Sequence, residues 1–220
     1  MKQHQFQIAL DGPSGAGKST IAKAVAEKLG IDYIDTGAMY RAIGYKIKET
    51  NTPMQDKQKL AAMLADTVID FQSGKTVLDG QDVSDKIRTP DMSRMASACS
   101  ALPAVRQKLV ELQRAMAAKK SVIMDGRDIA TNVLTGAEYK IYLTASVEER
   151  ARRRFRELAQ KGEHVELSQV EEDIRKRDYD DSHRELNPLR KAPEAVEIDA
   201  TCMSIQQVVD RILEMVGALV

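Results

Sequence analysis

Nine residues near the start of the chain have the types and spacing of a phosphate-binding loop. The fixed positions of the pattern G-x-x-x-x-G-K-[ST] are filled by Gly12, Gly17, Lys18 and Ser19. In such a loop the glycines let backbone N–H groups turn toward phosphate oxygens, the lysine reaches the outer phosphates, and the serine hydroxyl can ligate magnesium. We therefore predict a nucleoside triphosphate site made of Gly12, Pro13, Ser14, Gly15, Ala16, Gly17, Lys18, Ser19 and Thr20.

Charged side chains follow a second apolar run in the middle of the chain. Residues 121–125 read as a buried strand that ends in Asp125, and Arg127 and Asp128 come directly after it. Parallel strands present their carboxyl ends at one edge of a sheet, so we expect these side chains near the phosphate-binding loop. A strand-final aspartate beside such a loop is a candidate magnesium ligand. The alternative is that Asp125 only caps the turn at Gly126.

Arginines are concentrated in two later segments. The first segment contains Arg150, Arg152, Arg153, Arg154 and Arg156. A solvated helix face is the ordinary interpretation for most of these arginines, although one or two could close over a transferring phosphoryl group. In the second segment Arg177, Asp181 and Arg184 are four and three residues apart and share one helix face. They suit a phosphate and a sugar hydroxyl, unless Arg177 is only a structural partner of Asp173.

The chain offers no organised pair of a histidine and a carboxylate. His4, His164 and His183 have no partners at metal-ligand spacing. This fits an acceptor that is itself a phosphate, because a phosphate monoester with a second pKa of about 6 is already mostly deprotonated at neutral pH. Transfer to an alcohol would instead need an aspartate base.

Apolar periodicity indicates a doubly wound parallel α/β sheet of about five strands, of the phosphate-loop NTPase type. The predicted strands are residues 6–11, 31–35, 121–125, 139–143 and 195–199. Predicted helices follow the loop, follow Thr36, cover residues 56–66, and begin at Pro103. Three more begin at the capping boxes of Ser146, Ser168 and Ser204.

One stretch breaks the parallel pattern. Residues 67–72, 75–78 and 81–83 alternate around the turns Ser73-Gly74 and Asp79-Gly80, which predicts a small antiparallel meander. We expect one domain over 1–220, in which residues 60–100 are an acceptor-binding insertion and 150–185 a helical lid with a polar connection at 161–164. The core is then 1–59, 101–149 and 186–220. The meander could also be a mere edge hairpin.

Composition argues against several partners. The chain has 33 basic and 33 acidic residues, whereas proteins that bind polymeric nucleic acid or membrane surfaces usually carry a basic excess. Cys99 and Cys202 lack C-x-x-C spacing, which argues against a zinc site or a disulfide framework. We find no apolar segment of signal or membrane-spanning type. We expect a cytoplasmic monomer, since no helix pattern suggests a strong apolar dimer face.

Taken together, the segments resemble the bacterial cytidylate kinases over essentially the whole chain. The resemblance is carried by residues 12–20, Asp-Thr-Gly-Ala-Met-Tyr-Arg at 35–41, the insertion ending at Thr89-Pro90, Asp-Gly-Arg-Asp at 125–128, and residues 177–184. It implies transfer of the γ-phosphate of ATP to CMP or dCMP with Mg²⁺. The family usually has glycine where this chain has Ala130, and we expect an ordinary backbone there.

The resemblance also implies roles for individual residues. Contacts at or beside the cytosine edge are implied for Thr36, Ser97, Arg106 and Asp128. Arg41, Arg127 and Arg184 would clamp the acceptor phosphate. Arg177 and Asp181 would contact the sugar. The implied catalytic residues are Lys18, Arg127, Arg184 and Arg153. Arg153 would lie near the donor base. Magnesium would be held by Ser19 through the phosphates, with Asp125 as a further candidate.

Two other functions fit parts of the pattern. One is another small-molecule phosphotransferase of this fold, such as a thymidylate- or shikimate-type kinase. The other is a nucleotide-dependent switch, but a GTPase needs Asn-Lys-x-Asp, and Asn51, Asn132 and Asn187 are followed by Thr, Val and Pro. The Leu-Ser-Gly-Gly-Gln sequence of transporter ATPases is also absent.

Overall fold

The computed structural model describes residues 5–72, 74–160 and 162–217. They form two compact units, one from Met1–Tyr33 and Lys119–Val220 and the other from Ile34–Ala118. Ser73 of the predicted turn and Lys161 of the predicted connection lie outside the described residues. The predicted insertion at 60–100 falls within the second unit, and its bounds, like those of the lid, stay predictions. No described helix is long and apolar enough to cross a membrane.

The first unit is built on the predicted sheet. The strands are β1 (Gln7–Asp11), β2 (Asp32–Asp35), β6 (Val122–Gly126), β7 (Tyr139–Thr144) and β8 (Val196–Asp199). Their order is β2-β6-β1-β7-β8, and β1 pairs in parallel with both β6 and β7. This order places the carboxyl ends of β1 and β6 side by side, with Asp11 opposite Gly126. The prediction of about five parallel strands is confirmed.

Helices α1 (Lys18–Leu29) and α8 (Ile205–Gly217) bury their apolar sides against this sheet. Ile21 and Val25 of α1 and Ile212 of α8 are buried in one core with the strand residues Ile8 and Ile141. Gly30 ends α1 in a left-handed conformation, as its position predicts. At α8, Gln207 N–H donates to Ser204 Oγ and Ser204 N–H donates to the Gln207 side chain, which is the predicted capping box.

Two further helices of the first unit, α6 (Val147–Gln160) and α7 (Leu167–His183), pack on each other around Ala151, Leu158, Val170 and Ile174. Ser146 caps α6 by accepting from Glu149 N–H. The predicted capping box at Ser168 is wrong: α7 begins at Leu167, and Glu166 at the cap position makes no side-chain cap hydrogen bond. Ser168 therefore lies inside the first turn.

The second unit combines helices with a small separate sheet. The helices are α2 (Thr36–Glu49), α3 (Lys57–Ala65), α4 (Pro90–Ser100) and α5 (Pro103–Ala117). The antiparallel strands are β3 (Ile69–Gln72), β4 (Lys75–Leu78) and β5 (Gln81–Asp82), which confirms the predicted meander. Helix α4 is not among the predicted helices, although Thr89 caps it and Pro90 fills its first position. It packs closely on α2, where a Cβ on Gly44 would lie 2.8 Å from the Met95 Cβ.

Candidate active site

The phosphate-binding loop joins β1 to α1 as predicted. Gly17 precedes the helix with φ of 92°, a conformation that glycine adopts without strain. Lys18 is only 6% exposed, and its Nζ donates to the Pro13 carbonyl oxygen at 2.6 Å. Burial, and after it the positive charge of Arg127, lowers the pKa of Lys18 well below its ordinary value. The lysine is therefore held inside the loop, where an anion would restore its charge.

Asp125 at the end of β6 binds two side chains of the first unit. The Ser19 hydroxyl donates to one carboxylate oxygen at 2.9 Å, and the Tyr33 hydroxyl donates to the other at 2.9 Å. A hydroxyl beside a carboxylate is an oxygen donor set that suits Mg²⁺. The described residues contain no group of three or more His, Cys, Asp or Glu side chains able to hold a metal. The pair fits a magnesium ion that takes its other ligands from phosphates and water.

An alternating set of arginines and carboxylates lies directly after β6 and at the C-terminal end of α7. Arg127 Nε donates to Asp181 at 2.8 Å, and Arg184 Nη2 donates to Asp128 at 3.0 Å. Arg184 Nη1 is also 3.9 Å from Asp181, which joins the two pairs. The structure thus brings together four of the predicted site residues. We refer to Arg127, Asp128, Asp181 and Arg184 as the arginine–aspartate cluster.

The charges of the cluster also reach the phosphate-binding loop. Burial alone would raise the pKa of Asp181, but Arg127 and Arg177 outweigh it and hold the pKa below its usual value. Asp181 and Arg177 also act on Lys18. Asp181 consequently stays ionised at neutral pH and keeps the guanidinium of Arg127 in a fixed direction.

Asp11 is a site residue that the sequence analysis did not identify. It lies immediately before the loop and accepts from the backbone N–H groups of Ile129 and Ala130, each at 2.8 Å. These residues belong to a single π-helical turn, Ile129–Val133, directly after Asp128. Asp11 therefore fixes the segment that carries Asp128. Ala130 has no positive φ, in agreement with the expectation of an ordinary backbone there.

Asp11 leads to a prediction for stability against pH. Burial raises its pKa to about 6, against the lowering effect of the two N–H donors. Since the folded state favours the neutral carboxyl, stability is lost as the pH rises through the folded pKa. We expect the Asp11 contribution to the free energy of unfolding to fall by about 2 kcal/mol between pH 4.5 and 7.5.

Urea denaturation of the wild type and Asp11→Asn at both pH values measures this change. Between pH 4.5 and pH 7.5 the free energy of unfolding of the wild type should fall by about 2 kcal/mol relative to that of Asp11→Asn. A difference that does not depend on pH would contradict the prediction.

The arginines of α6 have different environments. Arg152 and Arg156 are exposed, so the interpretation of a solvated face holds for them. It is wrong for Arg150, which is buried. Arg153, predicted near the donor base, donates to Glu149 at 3.0 Å and to the Ala200 carbonyl oxygen at 2.7 Å.

In the second unit, the predicted residues Thr36 and Arg41 both lie on α2. Asp35 caps the helix by accepting from Ala38 N–H at 2.7 Å, and Arg41 donates to the same carboxylate at 3.2 Å. A Cβ on Gly37 would lie 3.1 Å from Arg41 Nη1, so glycine leaves room for the guanidinium. Thr36, the first residue of α2, is buried beside this pair in sequence.

The remaining predicted residues of the second unit lie on α4 and α5. Arg106 is buried, and its Nη1 donates to the Ser100 carbonyl oxygen at 3.3 Å. Its guanidinium carbon lies 5.9 Å from the centre of the Tyr40 ring, which is cation–π distance. Ser97 is half-buried on α4, and its carbonyl oxygen accepts from the Ser100 hydroxyl at 2.8 Å.

Comparison with known proteins finds the family of this sequence. The family model described as cytidylate kinase matches residues 8–218. A cytidylate kinase from Lactobacillus johnsonii is 49% identical over 215 residues, which cover 96% of this chain and 94% of the relative. A cytidylate kinase from Bacillus subtilis is 48% identical over 218 residues, 97% of each chain.

Solved structures agree on the fold. An uncharacterized protein from Eubacterium ventriosum matches with a TM-score of 0.53 at 15% identity, covering 98% of this chain and 99% of its own. A shikimate kinase from Bacteroides thetaiotaomicron matches with a TM-score of 0.50 at 14% identity, covering 96% and 98%. At such identities the likeness concerns the fold alone.

Proposed function

The chain belongs to the cytidylate kinase family, and from this premise we propose that it transfers the γ-phosphate of ATP to CMP or dCMP, giving ADP and the cytidine diphosphate. The observation that supports the proposal most directly is the arginine–aspartate cluster, some of whose charges act on the loop lysine. A triphosphate donor and a phosphate acceptor are both polyanions, and both need organised cations.

On the donor side, the loop supplies backbone N–H groups and Lys18. The buried amino group is held at the Pro13 carbonyl oxygen, from which it can swing to the outer phosphates. A charged lysine in a dry loop stabilises the charge that develops on the leaving oxygens. Ser19 and Asp125 would hold magnesium, which when bound neutralises phosphate charge.

On the acceptor side, we assign the phosphate clamp to Arg127, Arg184 and Arg41. Two of these guanidiniums are fixed by Asp181 and Asp128, so little side-chain entropy remains to be lost when they bind the acceptor. The acceptor phosphate needs no base, because it is deprotonated at neutral pH. The residues then act by holding two phosphates in line and neutralising charge.

Cytosine recognition is assigned to Asp128 and Arg106, and further contacts at or near the base are assigned to Thr36 and Ser97. A carboxylate accepts from the N4 amino group of cytosine, whereas uracil has an acceptor oxygen at that position. Uracil would instead set its O4 acceptor against the carboxylate, and a mismatch of two acceptors in a buried site is the kind that gives large discrimination. The sugar contacts are assigned to Arg177 and Asp181. Magnesium dependence, a monomeric state and a cytoplasmic location are further predictions.

An acceptor panel tests this function. We expect ATP- and Mg²⁺-dependent ADP formation with CMP and dCMP in a coupled assay, and much slower turnover with UMP, AMP, GMP, dTMP and shikimate. A preference for AMP, GMP or shikimate would contradict the proposal.

Arg184→Ala tests the clamp. Loss of a charged donor to the acceptor phosphate should lower kcat/KM for CMP by about 100-fold, as for a lost oxyanion donor. Binding of ATP, measured by titration without acceptor, should change less than about threefold. Arg190→Ala, at an exposed position, is the matched control. Equal losses in CMP turnover and ATP affinity would exclude a specific acceptor role.

A further inference from the structure

Arg150 is buried although it carries a permanent charge, and the transfer described above does not use it. It lies on α6 and is 4% exposed. Its Nε donates to the Ala145 carbonyl oxygen at 2.8 Å, and its Nη1 donates to the Ser14 carbonyl oxygen at 2.9 Å. A buried arginine is stable only when its donors are satisfied. Here one of its acceptors belongs to the phosphate-binding loop itself.

Asp178 on α7 completes the arrangement. Its Oδ2 accepts from Arg150 Nη1 at 2.6 Å, and its Oδ1 accepts from Ser14 N–H at 3.2 Å. Both backbone polar groups of Ser14 are therefore bound by side chains of the two packed helices. These hydrogen bonds fix the orientation of the two peptide groups on either side of the Ser14 Cα, before the loop turns at Gly15 and Gly17.

The backbone of α6 also approaches the loop closely. A Cβ on Gly15 would lie 3.2 Å from the Arg150 Cβ and 3.4 Å from the Arg150 carbonyl oxygen. The Arg150 side chain thus begins next to Gly15, and its guanidinium reaches the Ser14 carbonyl oxygen. The loop and α6 must keep this distance for the hydrogen bonds to Ser14 to form.

The charge balance explains why the two residues occur together. A carboxylate in hydrogen-bond contact with the loop would repel a triphosphate bound there. Arg150 neutralises Asp178 at 2.6 Å, so that the carboxylate can hold Ser14 without opposing the nucleotide. Asp178 also lies one turn before Asp181, so the helix that holds the loop is the helix that orients Arg127.

We propose that Arg150 and Asp178 are a positioning pair that holds the Ser14 peptide and thereby sets the affinity of the phosphate-binding loop for the triphosphate of ATP. The inference rests on the proposed function in assigning ATP to this loop. It concerns donor binding only and gives the pair no part in acceptor recognition. Neither residue needs to contact the reacting atoms.

The test compares Arg150→Met, Asp178→Asn and the double variant. Titration with a fluorescent ATP analogue gives donor affinity without any acceptor, and steady-state assays give KM for ATP and for CMP. Arg150→Met should weaken ATP binding by about 10-fold or more, because it leaves a carboxylate uncompensated beside the loop. KM for CMP should change less than about threefold. Asp178→Asn removes the negative charge and should therefore weaken ATP binding less than Arg150→Met does.

The double variant makes the test specific to a pair. It should bind ATP more tightly than Arg150→Met, since the stranded carboxylate is gone. Arg175→Met is the matched control, because Arg175 donates to Glu148 at 2.9 Å and links the same two helices at an exposed position. It should leave ATP affinity unchanged.

Three results would overturn the inference: unchanged ATP affinity in Arg150→Met, equal losses for ATP and CMP, or a double variant as weak as the product of the single effects. If Arg150→Met does not fold, Asp178→Asn and Arg150→Lys test the inference instead. Either variant should weaken ATP binding more than it raises KM for CMP. If the wild type binds ATP but phosphorylates no cytidine monophosphate, the proposed function fails while the binding data still decide the pair.

Discussion

Replacing Arg127 with alanine is expected to lower kcat by about 10³-fold or more, because an arginine that stabilises a transferring phosphoryl group is worth roughly 10³ to 10⁵ in rate. Arg127 directly follows β6, and Asp181 accepts from its Nε at 2.8 Å. KM for ATP should rise less than about threefold, since the phosphate-binding loop and Lys18 are unchanged. Stopped-flow or coupled assays with saturating CMP measure the effect.

Two further variants separate a catalytic role from damage to the cluster. Arg127→Lys should recover only a small part of the rate, because an ammonium cannot reproduce the planar fork of a guanidinium. The double variant Arg127→Ala/Asp181→Asn removes the carboxylate that loses its partner, and it should stay inactive. Recovery of the rate by the double variant to within about tenfold of the wild type would mean that the loss came from a stranded Asp181 rather than from a missing cation.

The sequence was sufficient for the features that depend on short spacing or on strand ends. The phosphate-binding loop is one continuous segment, and Asp125, Arg127 and Asp128 follow a strand whose apolar run is unambiguous. Parallel pairing of β1 with β6 then brings these positions to one sheet edge without any knowledge of side-chain packing. This is why the Ser19–Asp125 contact and the positions of Arg127 and Asp128 agree with the expected placement. Asp181 and Arg184 come from α7 and its C-terminal end, and strand pairing does not place them.

Contacts between distant residues could not be predicted in the same way. Asp11 binds residues 118 and 119 positions away, and Arg150 binds Ser14 across 136 positions. In sequence, Asp11 looks like the polar end of a strand, and Arg150 like one member of a basic run. Only the packing of α6 on the loop distinguishes Arg150 from the exposed Arg152. A weak signal existed, because Arg150 lies three residues after the inward-facing Val147.

Helix starts show the limits of local sequence signals, because one start with a clear signal was missed and another was predicted at the wrong residue. The Thr89-Pro90 start of α4 has a cap residue followed by proline at the first position, and this signal was available in the sequence. The Ser168 motif has capping-box spacing, but α7 begins two residues earlier than a cap at Ser168 requires, and its residues Val170 and Ile174 pack against α6. Tertiary packing therefore outweighed the local preference at Ser168.

Gly12→Ala is the second change for which we expect a large effect. Gly12 has φ of 150°, and a Cβ there would lie 1.9 Å from the Leu143 carbonyl oxygen and 3.0 Å from the Leu143 carbonyl carbon. These are backbone atoms of β7, which pairs with β1 up to Asp11, so they cannot move as a side chain can. Either the β1–β7 pairing or the start of the loop must shift. We expect a loss of about 3 kcal/mol in the free energy of unfolding.

Displacement of the loop should also weaken ATP binding by about 100-fold, because several loop N–H groups must point at the phosphates together. Substitutions of two other glycines distinguish the effect of backbone strain from that of the close approach to β7. Gly30→Ala places a side chain at φ of 64° in open space, so it should cost about 1 kcal/mol of backbone strain and leave ATP affinity unchanged. Gly136→Ala has neither strain nor a close neighbour and should be nearly neutral. If Gly12→Ala bound ATP like Gly30→Ala, the close approach to β7 would not be what positions the loop.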